Sequence, residues 1–170
     1  SDTNHQQTEP VEQLCDTARD AISFVHSMML QRVSSFTVKL PIGEYASDTL
    51  RSIYSHAVSP NTEPSEGDSM LYQSVPLELD VDIKDGFAYL RFSFLYLTTA
   101  QEEAALDQAM EALIAEFACD PKNTHYAFGK IYDWVCANVA FVGNSDDPYD
   151  YTAYGAMMNR RASSQGFALL

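Results

Sequence analysis

The sequence predicts an α+β domain in which helices pack on a small antiparallel sheet. Three observations lead there. Apolar residues recur at helical spacing in several stretches, they alternate with polar residues between positions 75 and 96 around an Asp-Gly pair, and strands and helices fall in separate blocks. The predicted order of elements is α, β, α, β, β, α, α.

Residues 1–10 form a polar tail expected to be disordered. Val11, Leu14, Ala18, Ile22, Val25 and Met29 then share one helical stripe, which predicts a first helix from Val11 to about Arg32. Residues 34–40, SSFTVKL, alternate and carry β-branched and aromatic side chains, so they read as a strand closed by Pro41 and Gly43. Leu50, Ile53, Tyr54 and Ala57 predict a second helix, and residues 59–69, SPNTEPSEGDS, a long exposed loop. Val75, Leu77, Leu79, Val81 and Ile83 alternate with polar neighbours, Asp85-Gly86 suits a type I′ turn, and Ala88, Leu90, Phe92, Phe94 and Tyr96 line one face of the returning strand. Thr99 and Glu102 form a capping box ahead of a helix with the stripe Leu106, Met110, Leu113, Ile114 and Phe117. A last full helix begins near Pro121 and carries Phe128, Ile131, Trp134, Val135 and Val139. The acidic loop GNSDDPYD follows it.

A chain of 170 residues that is 46% hydrophobic and 20% charged is long and apolar enough for a real core. One domain over residues 11–170 is expected, because the elements ahead of the 59–69 loop are too few for a core of their own. The 24 acidic against 10 basic residues leave a net charge of -14, which repels phosphate backbones and anionic lipid surfaces and excludes nucleic acid as a natural partner. No run approaches the length of a membrane span, so no membrane insertion is expected, and the N-terminal residues lack a basic region followed by an apolar one, the mark of a signal peptide. Cys15, Cys119 and Cys136 sit in apolar helical patterns and lack the paired spacing of a zinc site. They read as small buried hydrophobes. No metal and no cofactor is expected.

The run AYGAMMNRRASSQGFA, from Ala153 to Ala168, with IYDWVCANVAFVG ahead of it, resembles bacterial members of the transglutaminase-like superfamily of cysteine hydrolases, whose pattern is close to AYGALxNGxAVCQGYA. The resemblance is specific over about twenty residues and covers most of the chain in general layout. It implies the N-terminal part of a transglutaminase-like, cysteine-proteinase-like domain with its nucleophile helix starting near position 164. Letter against letter, it puts Ser164 where the family carries its nucleophilic cysteine, directly before Gln165-Gly166. It also implies a histidine and an aspartate downstream of the nucleophile, and an exported or cell-surface setting.

A thiol at a helix start is acidified by free N–H groups and the dipole, whereas a serine hydroxyl stays protonated without a well-placed base. His5, His26, His56 and His125 all precede Ser164, and the chain as given stops at Leu170, so neither family partner is expected beside it. Ser163 and Ser164 also suit a helix cap with no chemistry involved. Gly166 next to them suggests close backbone packing. Tyr154 is a candidate oxyanion contact, with a core aromatic as the plainer alternative. Asp146, Asp147 and Asp150 with Asn144 invite a calcium reading, but the spacing of an EF-hand is missing and a solvated acidic loop is expected. Trp134 reads as core.

The expectation is thus a truncated, inactive transglutaminase-like domain whose ancestral chemistry is acyl transfer or hydrolysis at protein amides. The alternative is a non-catalytic binding module for a protein or peptide, self-associating as a homodimer or by an exchanged C-terminal segment through Phe167, Ala168, Leu169 and Leu170. A serine hydrolase with an unusual base is a third reading.

Overall fold

In the computed structural model, which describes residues 11–59, 69–117 and 124–170, the chain divides into two compact units, Ser1–Tyr96 and Leu97–Leu170. The division falls between Tyr96 and Leu97, not at the 59–69 loop, most of which lies outside the described residues.

The first unit is a four-stranded sheet in the order β1-β2-β4-β3, with strands β1 (Val11–Leu14), β2 (Ser35–Pro41), β3 (Ser74–Lys84) and β4 (Phe87–Tyr96). Its helices are α1 (Ala18–Leu30), α2 (Thr49–Ala57) and the short α3 (Ser69–Gln73). The α+β class holds, but the sheet is mixed: β4 runs antiparallel to both β2 and β3, while β1 runs parallel to β2. Residues 11–14 are therefore a strand and not the opening of the first helix. Thr17 decides this, because its side chain accepts from the Asp20 N–H while Asp20 accepts from the Thr17 N–H, and that capping box starts the helix at Ala18. Upstream of the cap, four residues cannot distinguish a helical period from a strand. The helix stops at Leu30, and Arg32, with φ of 57°, turns the chain out of it.

The core follows the predicted alternation on the central strands. Phe36, Val38 and Leu40 of β2 and Ala88, Leu90, Phe92 and Phe94 of β4 are buried with Ala21, Val25 and Met29 of α1 and Ile53 and Ala57 of α2. Phe36 and Phe92, which are register partners, stack with ring centroids 5.3 Å apart. Each such ring contributes about 1.5–3 kcal/mol by burial. Asp85 and Gly86 have φ of 52° and 79°, the two positive values the hairpin turn requires.

Strand β3 departs from expectation. A bulge between Pro76 and Glu78 shifts the register, so Val75 opposes Leu95 while Leu79 opposes Phe92, and the two lie on opposite faces. Leu77, Leu79 and Ile83 remain 63%, 36% and 54% exposed at the sheet edge.

The second unit holds α4 (Ala100–Glu116), α5 (Thr124–Asn138), the two-residue strands β5 (Ala140–Phe141) and β6 (Arg161–Ala162), which pair in parallel, and α6 (Ser164–Leu169). Thr99 caps α4 through the expected box with Glu102. The proposed start of α5 at Pro121 lies outside the described residues, as does Cys119. Leu106, Ala153 and Met157 form one small cluster, and Val139, Ala156 and Ala162 another, with Trp134 and Leu170 packed against both. Phe128, expected on the buried stripe of α5, is 73% exposed, and Ile114 is exposed too. Cys136 is likewise exposed, against expectation, whereas Cys15 is buried and burial raises its thiol pKa. Both are free thiols.

Candidate active site around Ser164

Three short elements precede α6: a 3-10 turn (Pro148–Tyr151), a single π-helical turn (Gly155–Asn159) and β6. Each is too short to be held by its own hydrogen bonds. What holds them is a set of close contacts on the backbone of residues 149–152. A Cβ placed on Gly155 would lie 2.0 Å from the Tyr149 carbonyl oxygen, and one on Gly166 would lie 2.6 Å from the Asp150 carbonyl oxygen and 3.1 Å from that of Thr152. Only glycine fits at either place. The expected close packing at Gly166 is thus present, and the 149–152 turn is its partner.

Hydrogen bonds complete the clamp. The Ser163 N–H donates to Asp150 O at 2.7 Å, Gln165 Nε2 donates to Tyr151 O at 3.1 Å, and Thr152 Oγ1 donates to Tyr149 O while accepting from the Gly155 N–H. Ser163 is the N-cap of α6, its Oγ accepting from the Gly166 N–H at 3.5 Å. Ser164 is the first residue of that helix and is exposed.

Asp150 is the residue whose surroundings the sequence misjudged. It is fully buried rather than solvated: Oδ2 accepts from the Ser145 hydroxyl and from Arg161 Nη2 at 2.8 Å, and Oδ1 has no hydrogen-bond partner among the described residues. The Ser145 hydrogen bond, aided by the Arg161 guanidinium, holds its carboxyl below the usual carboxylate range against the opposing effect of desolvation. Asp147 caps the 3-10 turn by accepting from the Tyr149 N–H, and Asp146 is exposed. Among the described residues no group of three or more His, Cys, Asp or Glu could hold a metal ion. Neither Ser145 nor Arg161 stood out beforehand, since a serine and an arginine sixteen positions apart show no period or motif.

Tyr154 is half-buried, its ring 5.7 Å from that of Tyr149 and packed with the cluster of Leu106 and Met157. Tyr149 donates to Glu102 Oε1 at 2.7 Å, and that bond raises the phenol pKa. His26 Nδ1 lies 2.8 Å from Ala57 O and His56 Nδ1 2.7 Å from Ser52 O, both within the first unit. His125 is exposed on α5, and His5 lies outside the described residues. No described histidine hydrogen-bonds Ser164 Oγ.

An apolar cleft of about 60 Å³ opens between α4, α5 and residues 157 and 170, lined by Met110, Ile131, Trp134 and Leu170 among others. It is well short of the several hundred Å³ of a small-molecule site. Among the described residues no helix is long and apolar enough to cross a membrane. Comparison with protein families, with characterised proteins and with solved structures yields no match for this chain.

Proposed function

We propose that the segment around Ser164 is the nucleophile end of a transglutaminase-like domain, and that with serine at this position the chain does not itself transfer acyl groups. One observation carries the reading. Ser164 is the exposed first residue of a helix whose start is clamped by Gly166 against the 149–152 turn. A cysteine there would sit at the positive end of a helix, which favours a thiolate, and that is the chemistry the family's pattern serves. A hydroxyl at the same place needs a base to lose its proton, and Ser164 has no histidine bonded to it among the described residues. The ancestral reaction in this reading is attack of a thiolate on a protein amide, loss of the amine, and release of the acyl group to water or another amine. Tyr154, packed on Tyr149, is the candidate oxyanion contact for that lost chemistry.

The test is Ser164→Cys. Its thiol is expected to alkylate with iodoacetamide at a midpoint below the ordinary value of about 8.5, with no amide hydrolysis or transamidation. A midpoint at or above that value would remove Ser164 from the nucleophile position. Labelling of the native Ser164 by a fluorophosphonate would overturn the inactive reading and favour a serine hydrolase.

A second reading, a binding module that self-associates, is favoured by the apolar surface of the second unit, where Phe128, Tyr132 and Phe141 are 73%, 65% and 65% exposed. The C-terminal run contributes less than its composition suggests, because Phe167, Leu169 and Leu170 pack on the unit's own clusters. Sedimentation velocity over a range of concentrations is expected to show a dimer that Phe128→Ser weakens. A monomer at the highest concentration would end this reading.

A further inference from the structure

We propose that the open edge of β3 is a docking site for an extended segment of a partner protein, which joins the sheet as a further strand and carries Lys or Arg alternating with apolar side chains. The inference concerns the first unit and stands apart from the reading of Ser164.

Strand β3 is eleven residues long and, among the described residues, pairs only with β4. The direction of its free hydrogen-bonding groups follows from the ladder. The Phe94 N–H donates to Ser34 O and the Ile42 N–H to Gly86 O, so even-numbered β4 residues bond towards β2 and odd-numbered ones towards β3. The odd partners are Ser93, Arg91, Tyr89 and Phe87, which face Glu78, Asp80, Asp82 and Lys84. Leu79, Val81 and Ile83 therefore aim their N–H and C=O groups at the open edge, where the Val81 N–H meets only the carboxylate of its own neighbour Asp80, and Leu79 and Ile83 also keep apolar surface exposed there. Unpaired backbone with an apolar row beside it is what strand addition uses.

Charge selects the occupant. The other face of β3 carries Glu78, Asp80 and Asp82, with Lys84 at its end; Asp80 is bonded to Arg91 at 2.7 Å, and Glu78 and Asp82 make no ion pair among the described residues. A second copy is disfavoured by its own register. Antiparallel self-pairing must centre on one residue to keep the faces matched. Centred on Leu79 it sets Glu78 against Asp80 twice. Centred on Asp80 it sets that residue against its own copy and Glu78 against Asp82 twice, and centred on Val81 it sets Asp80 against Asp82 twice; registers centred on Asp82 or Ile83 bring Lys84 against an aspartate but pair no more than residues 80–84 of each copy before the Asp85-Gly86 turn. Like charges directly opposite are destabilising, and the net charge of -14 adds long-range repulsion between copies. A strand with basic residues opposite Glu78 and Asp82 instead gains a carboxylate at each of those two positions.

The experiment uses the full chain and a fluorescein-labelled octapeptide of alternating Lys and Val, read by fluorescence anisotropy. The controls are a block peptide of the same composition and an alternating Glu and Val peptide. Saturable binding is expected, roughly tenfold tighter than either control, weakening with salt. Amide exchange at Leu79, Val81 and Ile83 should slow when the peptide is bound. Val81→Pro deletes one edge-facing N–H without removing a bond to β4, and is expected to lower affinity roughly tenfold with the far-UV spectrum unchanged. The double change Glu78→Lys and Asp82→Lys, on an exposed strand face, is expected to remove most of the salt dependence and keeps the test decisive if the proline variant misfolds. Equal affinity for the block peptide, unchanged binding in these variants, or protection confined to other strands would overturn the proposal. So would a concentration-dependent dimer abolished by Val81→Pro, which would hand the edge to a second copy.

Discussion

Phe36 and Phe92 in the first unit are each 1% exposed and stacked on one another, while Phe128 and Phe141 in the second are 73% and 65% exposed. The residue type is the same, and the difference lies in what aims it. In the first unit a ladder of strands holds alternate side chains in a fixed row, so one face of β2 and β4 is buried at once against α1 and α2. In the second unit the strands have two residues each, and order comes from close backbone approaches at Gly155 and Gly166 and from the Ser145–Asp150–Arg161 network. One unit rests on buried area, which tolerates small errors. The other rests on fit, which does not.

The most severe way to break that contrast is Gly155→Ala. Its Cβ would meet the Tyr149 carbonyl at 2.0 Å, and no flexible side chain is there to yield. Amide exchange is expected to show protection lost over residues 145–166, with a loss of about 4 kcal/mol or more, while amides beside Phe36 and Phe92 keep theirs. An unchanged melt would mean that the turn relaxes and that fit matters less than we argue.

Phe92→Ala is the converse experiment. Removing a ring at the centre of the first core should cost about 3–5 kcal/mol in chemical denaturation, with protection retained around Asp150. A loss below about 1 kcal/mol would show a core able to collapse around the gap.

Acid separates the units by mechanism. The Asp150 carboxyl is held below its ordinary value, so its contribution to stability is complete above the unfolded value of about 3.9 and is lost as pH falls through the lower, folded value. The second unit of the native chain is expected to lose stability in that acid range by a margin that Asp150→Asn removes. An identical acid dependence in that variant would count against the network as a charge-bearing element.

The smallest effects sharpen the comparison rather than break it. Thr17→Ala and Thr99→Ala each remove one capping box, one per unit, and each is expected to cost about 1 kcal/mol by thermal or chemical melting. Caps act on their own first turn, so the two losses should match although the units differ in every other respect. Unequal losses would show that one helix end is held by tertiary contacts instead.

Wherever a pattern is local, it was legible in the letters. Strand β2, helix α2, the Asp85-Gly86 hairpin and the Thr99 box each carry their signal within a few residues. Val11–Leu14 was misread because four residues ahead of a helix fit both periods, and only pairing with β2 makes them a strand. The α5 stripe holds at Trp134, Val135 and Val139 and fails at Phe128, since a helical period says which residues share a face but not whether anything covers each of them. At the site, Ser164 at a helix start and Gly166 in close packing were readable from the motif. Burial of Asp150 was not, because its partners Ser145 and Arg161 come from either side in sequence and meet it only through the turns between.

The amino-acid sequence by itself determined the elements whose hydrogen bonds and caps close within one turn or one hairpin, together with the charge and the residue at the nucleophile position. Tertiary structure alone decided the parallel docking of β1, the bulge that shifts the register of β3, and the sinking of Asp150 beneath Arg161. The physical reason is range. A cap or turn balances its energy among neighbours, whereas burial and strand pairing depend on which distant segment arrives to remove the water.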